Sequence, residues 1–172
     1  MAASIKKEYS SFTAFHEEIE RLLSLSFEAK MLYIFTAPIL CHTDEDWSLF
    51  MQTILPKLDG WATCDAFLSD IGKNLKKDIV RTAFESCFSF HERLPLYGIR
   101  VFITTKMYYH KYRLESVEKI LADVERTKPF WSYLTIRQAV AWTLATISIE
   151  EFETILDKWY LPIRNNENRS DE

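Results

Sequence analysis

Two tryptophans, one aspartate and one arginine are the residues of this chain whose types and spacing could do chemistry together. In the stretch DGWATCD, Trp61 and Asp65 stand four residues apart. On a helix that spacing puts both side chains on one side, about 40° apart. A carboxylate beside an electron-rich ring suits a positive charge developing on a sugar or a base. Further on, GIRVFITTK sets Arg100 among Ile99, Val101, Phe102 and Ile103. A guanidinium inside an apolar helix needs a carboxylate partner or a bound anion. In RQAVAWTLA, Trp142 stands among Ala139, Val140, Ala141 and Leu144. Taken singly, each of the four also fits an ordinary role: core tryptophan, solvated acid or structural ion pair.

A second constellation is basic. Lys106, His110, Lys111 and Arg113 interleave with Tyr108, Tyr109 and Tyr112, a pattern suited to a phosphate backbone. A solvated helix end is the plainer alternative. Lys73, Lys76 and Lys77 add to it. The net charge of −4 conceals an uneven spread: −6 over residues 1–72, +6 over 73–113 and −4 over 114–172. A basic middle between acidic ends permits a local anion-binding face. The four histidines form no ligand pair, and no phosphate loop, Ser-His-Asp pattern or zinc motif occurs. No metal or cofactor is expected. Cys41, Cys64 and Cys87 read as free thiols in a reducing cytoplasm. No apolar run spans a membrane, and the N-terminus lacks a secretory signal's apolar centre.

Helices must position these groups. Three glycines and five prolines in 172 residues are too few turn formers for a β-rich chain. Ser11 and Ser26 read as caps of the first two helices, with Pro38 kinking or ending the second. The next helix stops at Pro56. A short one follows from about Asp59 to Ile71, with Gly72 as its stop and Asn74 as the cap of its successor. Pro95 opens a helix through Arg100, despite its Val, Ile and Thr content. The segment FWSYLTIRQAVAWTLATI is apolar enough to lie inside the stack. Ser148 and Glu151 read as a capping box for a last helix. About nine helices result, joined by short connections, in pairs spaced by roughly 35–45 residues, as in a HEAT-like solenoid. A compact bundle is the competing architecture. One domain is expected over residues 1–163, with a disordered tail over 164–172.

FEAKMLYIF, LPKLDGWATCDAFLSDI, GIRVFITTKMYY and IRQAVAWTLATI together resemble the AlkD-like DNA alkylation-repair glycosylases, a family of HEAT-like repeats. The D-x-W-x-x-x-D and AVAW segments are the most specific. The separations also fit: 35 residues from Asp65 to Arg100 and 42 from there to Trp142. The resemblance covers roughly residues 14–162. The family has further helices ahead of that region, so the chain reads as an N-terminally shortened member. The resemblance implies an all-α superhelix of antiparallel helix pairs with a cationic groove for duplex DNA. It implies a monomer that excises positively charged 3- or 7-alkylpurines by hydrolysing the N-glycosidic bond. Asp65 matches the catalytic carboxylate, and Trp61 the ring beside the lesion's deoxyribose. Arg100 matches the contact to the backbone near the lesion, and Trp142 the second aromatic of the cleft. A catalytically silent module that binds DNA or protein through the same groove is the alternative, and a scaffold without nucleic acid a third.

Overall fold

A computed structural model describes residues 8–9, 11–88, 95–151 and 155–156. Among these there are eight α-helices and no strand: α1 (Phe12–Ile19), α2 (Phe27–Leu40), α3 (Asp44–Ile54), α4 (Trp61–Asn74), α5 (Asp78–Phe88), α6 (Leu96–Lys111), α7 (Val117–Glu125) and α8 (Leu134–Ser148). The expected ninth helix and the tail 164–172 fall largely outside the described residues. Among the described residues no helix is long and apolar enough to cross a membrane.

The helix starts follow from local chemistry. Ser11, Ser26, Thr43 and Ser116 each turn a side-chain oxygen onto a backbone N–H of the first turn. At Thr43 the bond is reciprocal, because Asp46 accepts from the Thr43 N–H at 3.1 Å. Pro38 lies inside α2, which ends two residues later at Leu40. Its missing N–H removes one helical hydrogen bond, and the helix does not run on past the next turn.

Alternate helices lie side by side: α2 on α4, α4 on α6, and α6 on α8, with α3 on α5 behind them. The front row is parallel. Trp61, the first residue of α4, meets Arg100 in the second turn of α6. Arg100 in turn donates to the Thr135 carbonyl in the first turn of α8, at 3.2 Å. At the far end, Gly72 of α4 meets Tyr108 of α6. An aromatic seam fastens the early helices, running from Phe15 to Tyr33 (5.8 Å), Phe50 (5.5 Å) and Phe67 (6.1 Å).

Four local expectations are corrected. Gly72 does not stop α4: the helix continues to Asn74, and the glycine's φ is not positive. Its lack of a side chain makes room for the Tyr108 ring. Asn74 does not cap the next helix, which starts at Asp78; it ends α4, and its Nδ2 donates to the Asp70 carbonyl at 3.0 Å. Helix α8 is not enclosed. Ile136, Ala139, Val140, Thr143 and Ile147 are buried, whereas Ala141, Trp142 and Ala145 face out. Small alanines inflated its apolar content without forming a second buried face. Ser148, the expected cap, is the last residue of α8 and donates to the Ala145 carbonyl at 3.0 Å.

Candidate active site

The entrance to α4 sets the site. Gly60 is extended, and Thr63 Oγ1 lies 3.2 Å from its N–H, which turns the chain into the helix at Trp61. Lys30 of α2, itself buried, pairs with Asp59 just upstream. That ion pair ties the start of α4 to α2 and so fixes where Trp61 stands.

Arg100 is the centre of the arrangement and is only 1% exposed. Its guanidinium carbon lies 3.9 Å from the centroid of the Trp61 ring. Its Nη2 lies 3.8 Å from Asp65 Oδ1, and its Nη1 holds the Thr135 carbonyl. One cation thus touches α4 twice and α8 once. Covered by Trp61, Arg100 is placed to orient Trp61 and Asp65 rather than to present itself to a phosphate. The geometry differs there from the backbone contact that the resemblance implies.

Asp65 and Trp142 line the same cleft, of about 670 Å³. Leu68 and Ser69 continue the α4 wall, and Met107 and Tyr108 form the α6 floor. Trp61 and Trp142 are 44% and 49% exposed, so both rings reach solvent instead of the core. Three of the four residues picked from the sequence, Trp61, Asp65 and Arg100, are in direct contact. The fourth, Trp142, joins Asp65 across the cleft. Cys64, beside Asp65, is buried, and burial pushes its thiol up to about 12, so it is no nucleophile.

The basic constellation divides. Lys106 is not on the surface expected for it: it is 4% exposed and held by Glu115 at 2.8 Å and Asp123 at 2.6 Å. Its helix turns it toward α7, and its charge is consumed there. Lys73, Lys76, Lys77, Lys111 and Arg113 are all exposed. Lys76 and Lys111 converge on the Tyr112 ring, 4.3 and 5.8 Å from its centroid. Lys111 also lines the cleft, so this basic rim joins the aspartate's cavity. Residues 106–111 belong to α6; Arg113, with φ of 53°, turns the chain just beyond it.

Sequence reasoning missed the Lys30–Asp59 strut and the contribution of His110 and Glu150 to the cleft. Only the interruption at Asp59-Gly60 hinted at the first; nothing local pointed to the second. Among the described residues no group of three or more His, Cys, Asp and Glu side chains is placed to hold a metal. Comparison with protein-family models, curated proteins and solved structures finds no match to this chain.

Proposed function

We propose that this chain is a DNA glycosylase that excises positively charged 3- or 7-alkylpurines from duplex DNA, built as a HEAT-like solenoid. The observation that carries the reading is the convergence of Trp61, Asp65 and Arg100 beside a cleft shared with Trp142. The side-by-side rows of alternate helices suit a solenoid better than a closed bundle.

The chemistry follows from charge. An alkylated purine already carries the positive charge that lets it leave. The C1′–N bond breaks and its electron pair stays with the base, which becomes neutral. The positive charge passes to the sugar as an oxocarbenium-like ion. Asp65 stabilises that charge, and water adds at C1′ and gives up its proton to solvent. Trp61 and Trp142 offer electron-rich faces to the sugar and base. Arg100 holds Asp65 and Trp61 in register. The rim of Lys73, Lys76, Lys77, Lys111 and Arg113 takes the phosphates.

Release of methylated purine from alkylated duplex, followed by chromatography, tests the reading. Asp65→Asn is expected to slow release about 10²–10³-fold, the usual loss when one preorganised electrostatic group is removed. Helical circular dichroism should be unchanged. No release by the unmodified protein above buffer at low salt overturns the enzyme. One observation favours a catalytically silent DNA-binding module as the second reading: the Asp65 side chain is 53% exposed, so water weakens its field. Salt-sensitive DNA binding without base release would select that module.

A further inference from the structure

Helix α2 is apolar on nearly every side, yet one side of it is bare. Lys30 reaches Asp59 at the entrance to α4, and Tyr33 packs on Phe15 of α1 and Phe50 of α3. Ala29, Ile34, Thr36, Ala37 and Leu40 are buried with them. At about 100° per residue, Phe27, Met31, Leu32, Phe35, Pro38 and Ile39 fall together on one arc about 140° wide, with Glu28 the one charge among them. Phe27, Leu32 and Phe35 are 49%, 52% and 40% exposed, and Met31, Pro38 and Ile39 are partly exposed. Leu32 points about 160° away from Lys30, so the arc is turned from α4. It is the free flank of the front row, where a further helix of that row would lie. An apolar helix face of this width is ordinarily covered, and the outer helix of a stacked row ordinarily turns polar residues outward.

We propose that this flank of α2 is a docking surface for an amphipathic partner helix whose apolar stripe is edged by lysine or arginine. The arc runs about 18 Å from Phe27 to Ile39, the length of a helix of three to four turns. Acids bracket it. Glu28 lies on the arc near the start of α2, and exposed Asp44 and Glu45 open α3 just beyond its end. Residues 11–50 hold seven acidic residues against two Lys or Arg, and one of those two, Lys30, is taken by Asp59. Charge complementarity therefore selects a basic partner.

A second copy of the chain fits the same surface badly. Laid antiparallel about the middle of α2, it brings Glu28 toward the end of the copy's α2, where Asp44 and Glu45 begin α3. Laid parallel, it brings Glu28 against Glu28. Both arrangements oppose like charges across the contact, which costs affinity. The same acids repel an anionic membrane surface. The flank is separate from the cleft, which is lined from α4, α6, α8 and the turn after α8. The proposal therefore does not rest on the glycosylase reading.

Two fluorescently labelled peptides of about 20 residues, long enough to hold a helix, test this by anisotropy with the full chain at low salt. Both carry the same leucine stripe at helical spacing; one is edged by lysine and the other by glutamate. The lysine peptide is expected to bind at least about tenfold more tightly. Leu32→Gln combined with Phe35→Gln should weaken that binding at least about tenfold. Both residues are exposed, and unchanged circular dichroism will show that the variant is folded. Glu28→Lys should narrow the preference between the two peptides. Equal affinity for both peptides, no binding of either, or undiminished binding by the double variant overturns the proposal. Sedimentation equilibrium should find a monomer. A dimer that the double variant dissociates would make the occupant a second copy and overturn the proposal as well. So would flotation of the chain with phosphatidylcholine vesicles, if the double variant abolished it.

Discussion

The approach of Tyr108 to Gly72 allows the sharpest test of how α4 meets α6. A Cβ added at residue 72 would lie 2.5 and 2.6 Å from Cε1 and Cε2 of the ring. Ordinary carbon contacts begin near 3.5 Å, so the ring would have to retreat by about 1 Å. Two effects then oppose each other in Gly72→Ala. Replacing a helical glycine by alanine stabilises by about 1 kcal/mol. Overpacking a close contact costs about 1–3 kcal/mol. Tyr108 is partly buried and lines the cleft, so its ring can yield in that direction. A net loss near 1 kcal/mol is expected, together with a smaller cleft. Urea unfolding of Gly72→Ala, Tyr108→Ala and the double variant measures it. With the ring removed, alanine at 72 should become stabilising, giving a coupling of about 1–2 kcal/mol. If Gly72→Ala stabilises equally in both backgrounds, the two helices do not meet as described and this account of the glycine is wrong.

Lys106→Met should destabilise by about 1–3 kcal/mol, because it takes the buried partner from Glu115 and Asp123 and leaves them the exposed Lys119; an unchanged urea midpoint would place Lys106 elsewhere. Asp123 is buried, which raises its pKa, but hydrogen bonds and charge from Lys106 and Lys119 outweigh burial and hold it below the usual carboxylate value. Its stabilisation is therefore full above about pH 4 and lost as pH falls through the depressed value, and acid titration of the urea midpoint should show this loss shrink in Lys106→Met. Asp70 has the opposite sign: burial raises it despite Lys73 and Lys77, and Oδ2 has no partner, so Asp70→Asn should raise stability at neutral pH, as thermal unfolding will show. If the exposed rim carries DNA, Lys76→Ala with Lys111→Ala should reduce the slope of log affinity against log salt by about 1.8, at about 0.9 per phosphate contact. Lys106→Met should leave that slope alone.

What the residues determined by themselves was the helical class and the boundaries governed by local chemistry. Ser11 and Ser26 cap because a hydroxyl one residue ahead of a helix can reach only the first-turn N–H groups. The spacing of Trp61 and Asp65 fixed their common side, because that geometry lies within one helix. The expected stop at Gly72 failed for the complementary reason: its neighbour, Tyr108, is on another helix, and no local pattern announces it. Lys106 and Lys111 show the same limit. Both are lysines near one end of α6, yet a five-residue step turns one toward Glu115 and Asp123 and the other toward the cleft. Arg100 is the clearest case. Its apolar flanks required a partner, which the sequence supplied in principle, but only the parallel alignment of α4, α6 and α8 made that partner Asp65, with Trp61 across its face and the Thr135 carbonyl behind. Side-chain type and helical period are local properties. Which charge meets which depends on how the helices are laid side by side, and that is decided by the burial of the whole core.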